Sequence, residues 1–179
     1  MKRTISTILT VVLLFCAVVY GAGCEEVSGL PYDTILLGNG RVMNEDFIYK
    51  KENMIDCLYK NRDYDPNDPS SRQFIWDTTL PPYRIIRVTE EMLTEEVFEE
   101  VPVVDLESKN VLLLLFSMYG SYECYISNLE IKDDILKITI KSRNKGSAAP
   151  TLVCGVIQFD KLEFSNSELI FTKYWQYDK

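Results

Sequence analysis

The stretch VLLLLFSM, residues 111–118, is the part of the chain that decides the fold. It is the most apolar run after residue 23, and it is too short for a membrane-spanning helix, which needs about 20 residues. Asn110 and Gly120 bound the run, as turn-forming residues commonly bound a strand. Because apolar side chains occupy nearly every position, the run predicts a central strand that is buried on both faces.

Four further strands are predicted after this run. Residues Tyr122–Ile131 and Ile135–Lys141 alternate apolar and polar side chains, which is the period of a strand with one covered face. Leu152–Phe159 and Leu169–Tyr174 are two more runs rich in strand-forming residues. The C-terminal half is therefore predicted to form a mainly antiparallel sheet of about five strands.

The N-terminal half mixes strand and helix signals. Apolar side chains recur at helical spacing in KKENMIDCLYKNR, residues 50–62, and in TEEMLTEEVFEE, residues 89–100, where Thr89 is a candidate N-cap. Strands are predicted at residues 35–37, 47–49 and 83–88. The predicted fold class is α+β, with one or two short helices in a single domain over residues 32–179.

Residues 1–23 have the features of a secretory signal peptide, with a basic start and an apolar run at residues 8–20. The junction Ala22-Gly23-Cys24 resembles the bacterial lipobox, so Cys24 is predicted to carry a lipid and residues 24–31 to form a tether. The predicted location is the cell envelope, at the membrane. Ordinary cleavage to a secreted or periplasmic protein and an uncleaved membrane helix are the alternatives.

Charge and composition exclude several classes of function. The net charge is −8, and an acidic domain repels phosphate groups, so no nucleic-acid partner is expected. The chain has no histidine, which removes the base of Ser-His-Asp and Cys-His catalysis and the usual zinc sites. The loop DYDPNDPSS, residues 63–71, begins like a calcium loop but lacks its glycine and glutamate. No metal and no cofactor are predicted.

Four cysteines follow the predicted signal peptide: Cys24, Cys57, Cys124 and Cys154. If Cys24 carries a lipid, an odd number remains and one thiol is unpaired. Cys124 and Cys154 lie in predicted strands of the same half, so they are the candidate disulfide. The alternative is that both are free thiols in a core, where cysteine commonly lies.

Pro102-Val103-Val104-Asp105-Leu106 precedes the apolar strand, and Glu123, Cys124 and Tyr125 begin the next one. This order resembles the PrcB-type protease-complex subunit family of exported, often lipidated bacterial proteins, over roughly residues 32–173. The first stretch is similar to a P-x-V-D-F element of that family. Tyr125 keeps the aromatic residue of its P-T-G-G-Y element, whose paired glycines are replaced here. The resemblance implies a non-catalytic module that stabilises a partner protease or a surface complex.

Since no set of residues forms a recognisable active site, the sequence favours a binding or assembly module with a protein partner. Its candidate contacts are aromatic residues at a turn and at the C-terminus, namely Tyr119, Tyr122, Tyr174, Trp175 and Tyr177. Trp76 is a further candidate, with ordinary core packing as its competing role. The alternatives are a small-ligand-binding domain and a carboxylate-based hydrolase with Asp105 and Asp77 as its acid pair.

Overall fold

The computed structural model describes residues 27–39, 42–119, 122–144 and 150–173 of the chain. Within these residues there are ten strands and one α-helix, together with a 3-10 helix at Glu90–Met92. The helix, α1, spans Glu45–Ile48. The strands are β1 (Val27–Ser28), β2 (Tyr32–Asn39), β3 (Leu58–Lys60), β4 (Phe74–Trp76), β5 (Tyr83–Arg87), β6 (Lys109–Tyr119), β7 (Tyr122–Lys132), β8 (Ile135–Asn144), β9 (Pro150–Asp160) and β10 (Asn166–Lys173).

Eight of these strands form two four-stranded sheets that pack face to face. The outer sheet has the strand order β1-β7-β8-β10, and the inner sheet has the order β2-β9-β6-β5. β8 and β10 are parallel, whereas the other described neighbours are antiparallel. β3 and β4 form a separate antiparallel hairpin. Residues 42–59 and 88–106, called the covering layer below, contribute side chains that pack on the second face of the inner sheet.

The predicted α+β class is wrong, because the described chain is nearly all β. The five predicted C-terminal strands are present, but they do not form one sheet. β6 and β9 belong to the inner sheet, whereas β7, β8 and β10 belong to the outer sheet. Strands from the N-terminal half complete both sheets. This division depends on pairing between distant segments, which the local period of a sequence does not report.

The helix predicted in residues 50–62 is replaced by turns that lead into β3. Ile55, Cys57 and Tyr59 are buried, whereas the residues between them are less buried. This is the period of a strand, in which alternate side chains share one face. The three buried side chains pack in the core beneath the covering layer, so tertiary packing overrides the helical spacing of the sequence.

The helix predicted in residues 89–100 is also wrong, because only the 3-10 helix and turns form there. Thr89 makes no side-chain cap hydrogen bond. Six glutamates among twelve residues would repel one another along a regular helix, and Phe98 pairs with Met43 in a β-bridge instead. The described α-helix lies at α1, where a strand was predicted at residues 47–49, and Asn44 caps it by accepting the N–H of Asp46.

β6 confirms the prediction of a strand that is buried on both faces. Every residue from Val111 to Phe116 is at most 2% exposed. Its even-numbered side chains, Leu112, Leu114 and Phe116, enter the core between the two sheets. Its odd-numbered side chains, Val111, Leu113 and Leu115, enter the core beneath the covering layer. Because burying one such side chain stabilises the fold by about 1.5–3 kcal/mol, β6 contributes strongly to both cores.

The directions of the strands define two ends of the sandwich. β1 pairs with the last residues of β7, with Val27 opposite Ile131, so the described chain begins at the end formed by the β7–β8 turn. β6 ends and β7 begins at the opposite end, called the far end below. The 11 residues of β6 place the far end about 35 Å away from the β1 end. Part of the predicted tether belongs to the fold, since Leu30 is buried in the sandwich core.

The predicted signal peptide and Cys24 lie outside the described residues. In the part of the chain that is described, no helix has both the length and the apolar character needed to cross a membrane. Val27 comes three positions after Cys24. A lipid on Cys24 would therefore hold the β1 end of the sandwich within about 10 Å of the anchored residue.

Candidate functional site

Two of the predicted partner contacts, Tyr119 and Tyr122, lie at the far end of the sandwich. β6 ends at Tyr119 and β7 begins at Tyr122. β10 ends at the same end of the molecule, because Lys173 is paired with Ser142 near the end of β8. The remaining predicted contacts, Tyr174, Trp175 and Tyr177, lie outside the described residues. The described backbone thus places the end of β6, the start of β7 and the end of β10 at one end of the sandwich.

Three aromatic rings pack just inside the far end. Phe171 of β10 contacts Phe116 and Tyr83, with ring centroids 5.7 Å and 6.3 Å apart. Phe116 is fully buried, whereas Phe171 is 45% exposed. The rings connect the edge strands β5 and β10 of the two sheets, so they close one side of the sandwich and leave an apolar rim at the surface.

A group of four exposed hydrophobic side chains lies on the β3–β4 hairpin and its loop. Tyr64, Phe74, Ile75 and Trp76, called the hairpin patch below, are 41–48% exposed. Phe74, Ile75 and Trp76 make up the whole of β4, so this strand lacks the in-and-out alternation of a half-buried strand. A surface strand made only of large apolar residues is uncommon, because soluble proteins rarely expose grouped apolar side chains.

The position of β4 in the hairpin explains its exposure. Ile75 lies opposite Tyr59 of β3, and residues that are paired in this way share one face of the hairpin. Tyr59 is 4% exposed and packs beneath the covering layer, whereas Ile75 is 43% exposed. β3 packs against β9 of the inner sheet. β4 is the outer strand of the hairpin, so its apolar side chains remain at the surface.

Hydrogen bonds hold the hairpin that carries the patch. The indole Nε1 of Trp76 donates to the carboxylate of Asp56. The backbone N–H of Asp56 donates to the carbonyl oxygen of Pro81 at 2.8 Å. Across the hairpin, the Asn61 side chain donates to the carbonyl oxygen of Arg72 at 2.8 Å. A surface that is already ordered loses less conformational entropy when a partner binds.

The loop that follows β3 borders the patch with negative charge. Asp65 accepts the backbone N–H of Asn67 at 2.8 Å, and Asp68 accepts the N–H and the hydroxyl of Ser70 at 2.8 Å and 2.7 Å. The hydrogen bonds from Ser70 hold the pKa of Asp68 below its usual value, so this carboxylate is ionised at neutral pH. These turns occupy the calcium-like segment, and the described residues contain no grouping that could hold a metal ion.

The two carboxylates considered for hydrolysis lie on separate loops, and each caps its own loop. Asp77 accepts the hydroxyl and the N–H of Thr79, and Asp105 accepts the hydroxyl and the N–H of Ser108. These hydrogen bonds lower the pKa of both carboxyl groups, the side-chain hydroxyls most of all. Asp77 leads into β5 at the far end, whereas Asp105 leads into β6 at the β1 end. A hydrolase needs a facing pair with one raised pKa, which this arrangement does not provide.

An open cleft of about 240 Å³ lies at the β1 end, lined in part by Asp33, Lys109, Gln158 and Asp160. Lys109 pairs with Asp160 at 2.6 Å, and the Gln158 amide donates to Asp33 at 3.2 Å. The hydrogen bond to Asp160 raises the pKa of Lys109. Small-molecule sites are usually larger, at about 300–1,000 Å³, and mostly apolar. The cleft therefore gives little support to a small-ligand-binding domain.

Cys124 and Cys154, the predicted disulfide pair, are free thiols in the structure and pack at two different cores. Cys154 is fully buried beneath the covering layer. Cys124 packs against the core between the two sheets. The inner sheet separates the two side chains, so they cannot meet the short distance of a disulfide without a rearrangement.

Comparison with models of protein families, with curated proteins and with solved structures finds no match to this chain. Sequence reasoning considered only Trp76 of the patch. The available signal was the uninterrupted apolar run at residues 74–76 beside a loop rich in Asp, Asn and Pro, and such a run suits a buried strand equally well.

Proposed function

We propose that this protein is an exported, lipid-anchored binding module that assembles with a protein partner and stabilises it. The observation that carries the proposal is the hairpin patch, whose four large side chains are 41–48% exposed on one hydrogen-bonded hairpin. Phe74 and Trp76 share one face of β4, because alternate side chains of a strand point the same way, and exposed apolar side chains on one face mark surfaces that a partner covers. The partner class is a protease or another cell-surface complex, as the resemblance to PrcB-type subunits implies.

The composition of the patch supports a protein partner. Tyr64, Phe74 and Trp76 are aromatic, and aromatic residues are enriched at the centres of protein interfaces. Trp76 keeps a hydrogen bond to Asp56 while its ring remains 43% exposed, so it offers a large contact area in a fixed orientation. Such anchors contribute most of the binding free energy when they enter a pocket on the partner.

The charge around the patch indicates what the partner offers in return. Asp65 and Asp68 border the patch, and the whole chain has a net charge of −8. Complementary charges speed encounter and select against wrong partners. The proposed partner therefore presents an apolar groove with lysine or arginine side chains at its rim.

The course of the chain is compatible with an anchored module. A lipid on Cys24 would be separated from β1 by two residues, Glu25 and Glu26. The β1 end of the sandwich would then lie near the membrane and the far end would point away from it. The acidic surface repels anionic lipid head groups, so the lipid would be the means of attachment.

The test compares a triple variant, Phe74→Thr/Ile75→Thr/Trp76→Thr, with a matched control, Tyr125→Thr. Threonine keeps the strand propensity of the replaced residues, and Tyr125 is 47% exposed on the other side of the molecule, in β7. Each tagged chain is crosslinked in the envelope of the native host, purified and analysed by mass spectrometry. We expect one partner that wild type and Tyr125→Thr recover and that the triple variant recovers at least about tenfold less, equivalent to about 1.4 kcal/mol.

Circular dichroism and the thermal midpoint establish that the triple variant is folded. Equal recovery of the partner by the triple variant and the wild type would show that the hairpin patch does not bind the partner.

Membrane attachment is tested separately with Cys24→Ser, which we expect to move the protein from the membrane fraction to the soluble fraction. Continued sedimentation of Cys24→Ser with membranes would overturn the lipid anchor while leaving the patch untouched.

A further inference from the structure

Cys57 and Cys154 are buried in the same core, Cys57 in the covering layer and Cys154 in the inner sheet. Ile55, Cys57 and Tyr59 are buried at alternate positions, so their side chains point from the covering layer towards the inner sheet. Cys154 lies in β9, opposite Leu115 of β6, and its side chain points towards the covering layer. β3 packs against β9, and both thiols are 0% exposed in the same core.

The hydroxyl of Tyr59 connects this group. It accepts the backbone N–H of Ile55 at 2.8 Å, two positions before Cys57. Burial raises the pKa of Tyr59, and Cys57 and Cys154 both raise it further through their electrostatic effect. Cys57 likewise raises the pKa of Cys154. A single buried tyrosine thus lies within electrostatic reach of both sulfur atoms, which places the two thiols in one group.

We propose that Cys57 and Cys154 are a dithiol that closes to a disulfide when the chain is exported, and that this bond fastens the covering layer to β9. The bond would close a loop of roughly 100 residues, and in the chain-entropy model a longer closed loop gives a larger stabilisation. Its two cysteines lie in different layers, so it would resist separation of the covering layer from the inner sheet. The inference goes beyond the proposed binding function and depends on it only for the oxidising compartment.

The oxidant is a disulfide, either a small molecule such as oxidised glutathione or an exported thiol oxidoreductase. One thiol of the pair loses its proton and attacks the oxidant, which releases one thiolate and leaves a mixed disulfide. The second thiol then loses its proton and displaces the other half of the oxidant. Two protons and two electrons leave the protein, one S–S bond forms in it, and the disulfide of the oxidant is reduced to two thiols.

The reaction belongs to the folding stage, because the folded core protects both thiols. Burial raises the pKa of Cys57 to about 11 and raises that of Cys154 as well. The thiolate is the reactive form, so little of it is present at neutral pH once the core has formed. We therefore expect the bond to form while the covering layer closes on the inner sheet, before water and oxidant are excluded.

The test uses the mature chain, reduced and unfolded in urea and then refolded in a buffer of oxidised and reduced glutathione. The product is unfolded again, alkylated with iodoacetamide and digested with trypsin. Cys57, Cys124 and Cys154 fall on separate tryptic peptides, residues 52–60, 110–132 and 146–161, and Cys24 falls on residues 24–41. We expect peptides 52–60 and 146–161 to be joined, and peptide 110–132 to carry an alkylated Cys124.

Recovery of peptides 52–60 and 146–161 as separate, alkylated species would overturn the proposal, as would a link from Cys154 to Cys124. Cys124→Ser is the matched control and should keep the bond, whereas Cys57→Ser should lose it. Dithiothreitol should lower the thermal midpoint of the oxidised wild type by at least about 5 °C and leave that of Cys57→Ser unchanged. Because the buffer supplies the oxidant, failure here is distinct from failure of the lipid anchor, which the fractionation of Cys24→Ser reports.

Discussion

β6 and β4 are both runs of large apolar residues, yet they lie in opposite environments. Residues Val111–Phe116 of β6 are at most 2% exposed, whereas the three residues of β4 are 43–48% exposed. β6 has a strand on each side and a packed layer on each face. β4 has β3 as its neighbour within the hairpin and no alternation in its burial.

The difference shows that apolar character does not by itself bury a strand. Burial depends on how many faces of the strand other elements cover, and that number is set by segments far away in the sequence. β6 is covered by the outer sheet on one face and by residues from α1, β3 and the segment around Phe98 on the other. The outer position of β4 in its hairpin leaves it available to a partner.

The largest expected difference comes from the same substitution in the two strands. Phe116→Ala should lower the free energy of unfolding by about 3–5 kcal/mol, because it opens a cavity in the core between the sheets. Phe74→Ala should lower it by less than about 1 kcal/mol, since the ring is 48% exposed. Urea denaturation followed by circular dichroism measures both values. Similar losses for the two variants would show that β4 is part of a core.

The second test asks whether both faces of β6 carry stability. Leu113→Ala and Leu114→Ala remove side chains that are 0% exposed on opposite faces of the strand. Each should lower the free energy of unfolding by about 2–5 kcal/mol in the same assay. Val103→Ala, at a side chain that is 91% exposed, is the control and should change it by less than about 0.5 kcal/mol. A small effect of Leu113→Ala alone would mean that the covering layer packs loosely.

A smaller effect is expected at the buried hydroxyl that joins the covering layer. Tyr59→Phe keeps the ring but leaves the N–H of Ile55 without the acceptor that it has at 2.8 Å. An unsatisfied buried donor costs about 1–3 kcal/mol, which should appear in the free energy of unfolding. Tyr64→Phe, at a ring that is 41% exposed, is the matched control and should be neutral. Equal values for the two variants would contradict the buried hydrogen bond.

The smallest effect concerns the turn that leads into β6. Asp105 accepts hydrogen bonds from Ser108, and these lower its pKa in the folded state. The stabilisation is therefore present above the unfolded pKa of about 3.9 and is lost as the pH falls through the lower folded value. The difference in urea midpoint between wild type and Asp105→Ala should be constant from pH 7 to pH 5 and shrink below about pH 4. A constant difference down to pH 3 would show that ionisation of Asp105 is not involved.

Several elements of the fold could be predicted because their signals are local. The apolar run at residues 111–118 has no polar position that could face water, so it has to be covered on both faces. β7 and β8 alternate along their length, which predicts strands with one covered face. The export signal and the lipid at Cys24 remain predictions from sequence. The helices failed because residues 50–62 and 89–100 have helical spacing that competes with contacts to distant strands.

The candidate site could be predicted only in part. Trp76 was considered as a contact, but the sequence did not separate an exposed strand from a buried one, because Phe74, Ile75 and Trp76 suit either environment. The pairing of cysteines was predicted from strands in one half of the chain. The structure places Cys154 in the same core as Cys57 and away from the core that Cys124 contacts, since alternate residues of a strand face opposite layers.

The sequence by itself determined which segments are strands in the C-terminal half and that the segment at residues 111–118 would be covered on both faces. Only the tertiary structure decided how those strands divide between two sheets, which layer covers the inner sheet and which apolar strand remains at the surface. The physical reason is the distance along the sequence over which each effect acts. Side-chain period and propensity act over a few residues, whereas burial is shared among segments that meet only when the whole chain folds.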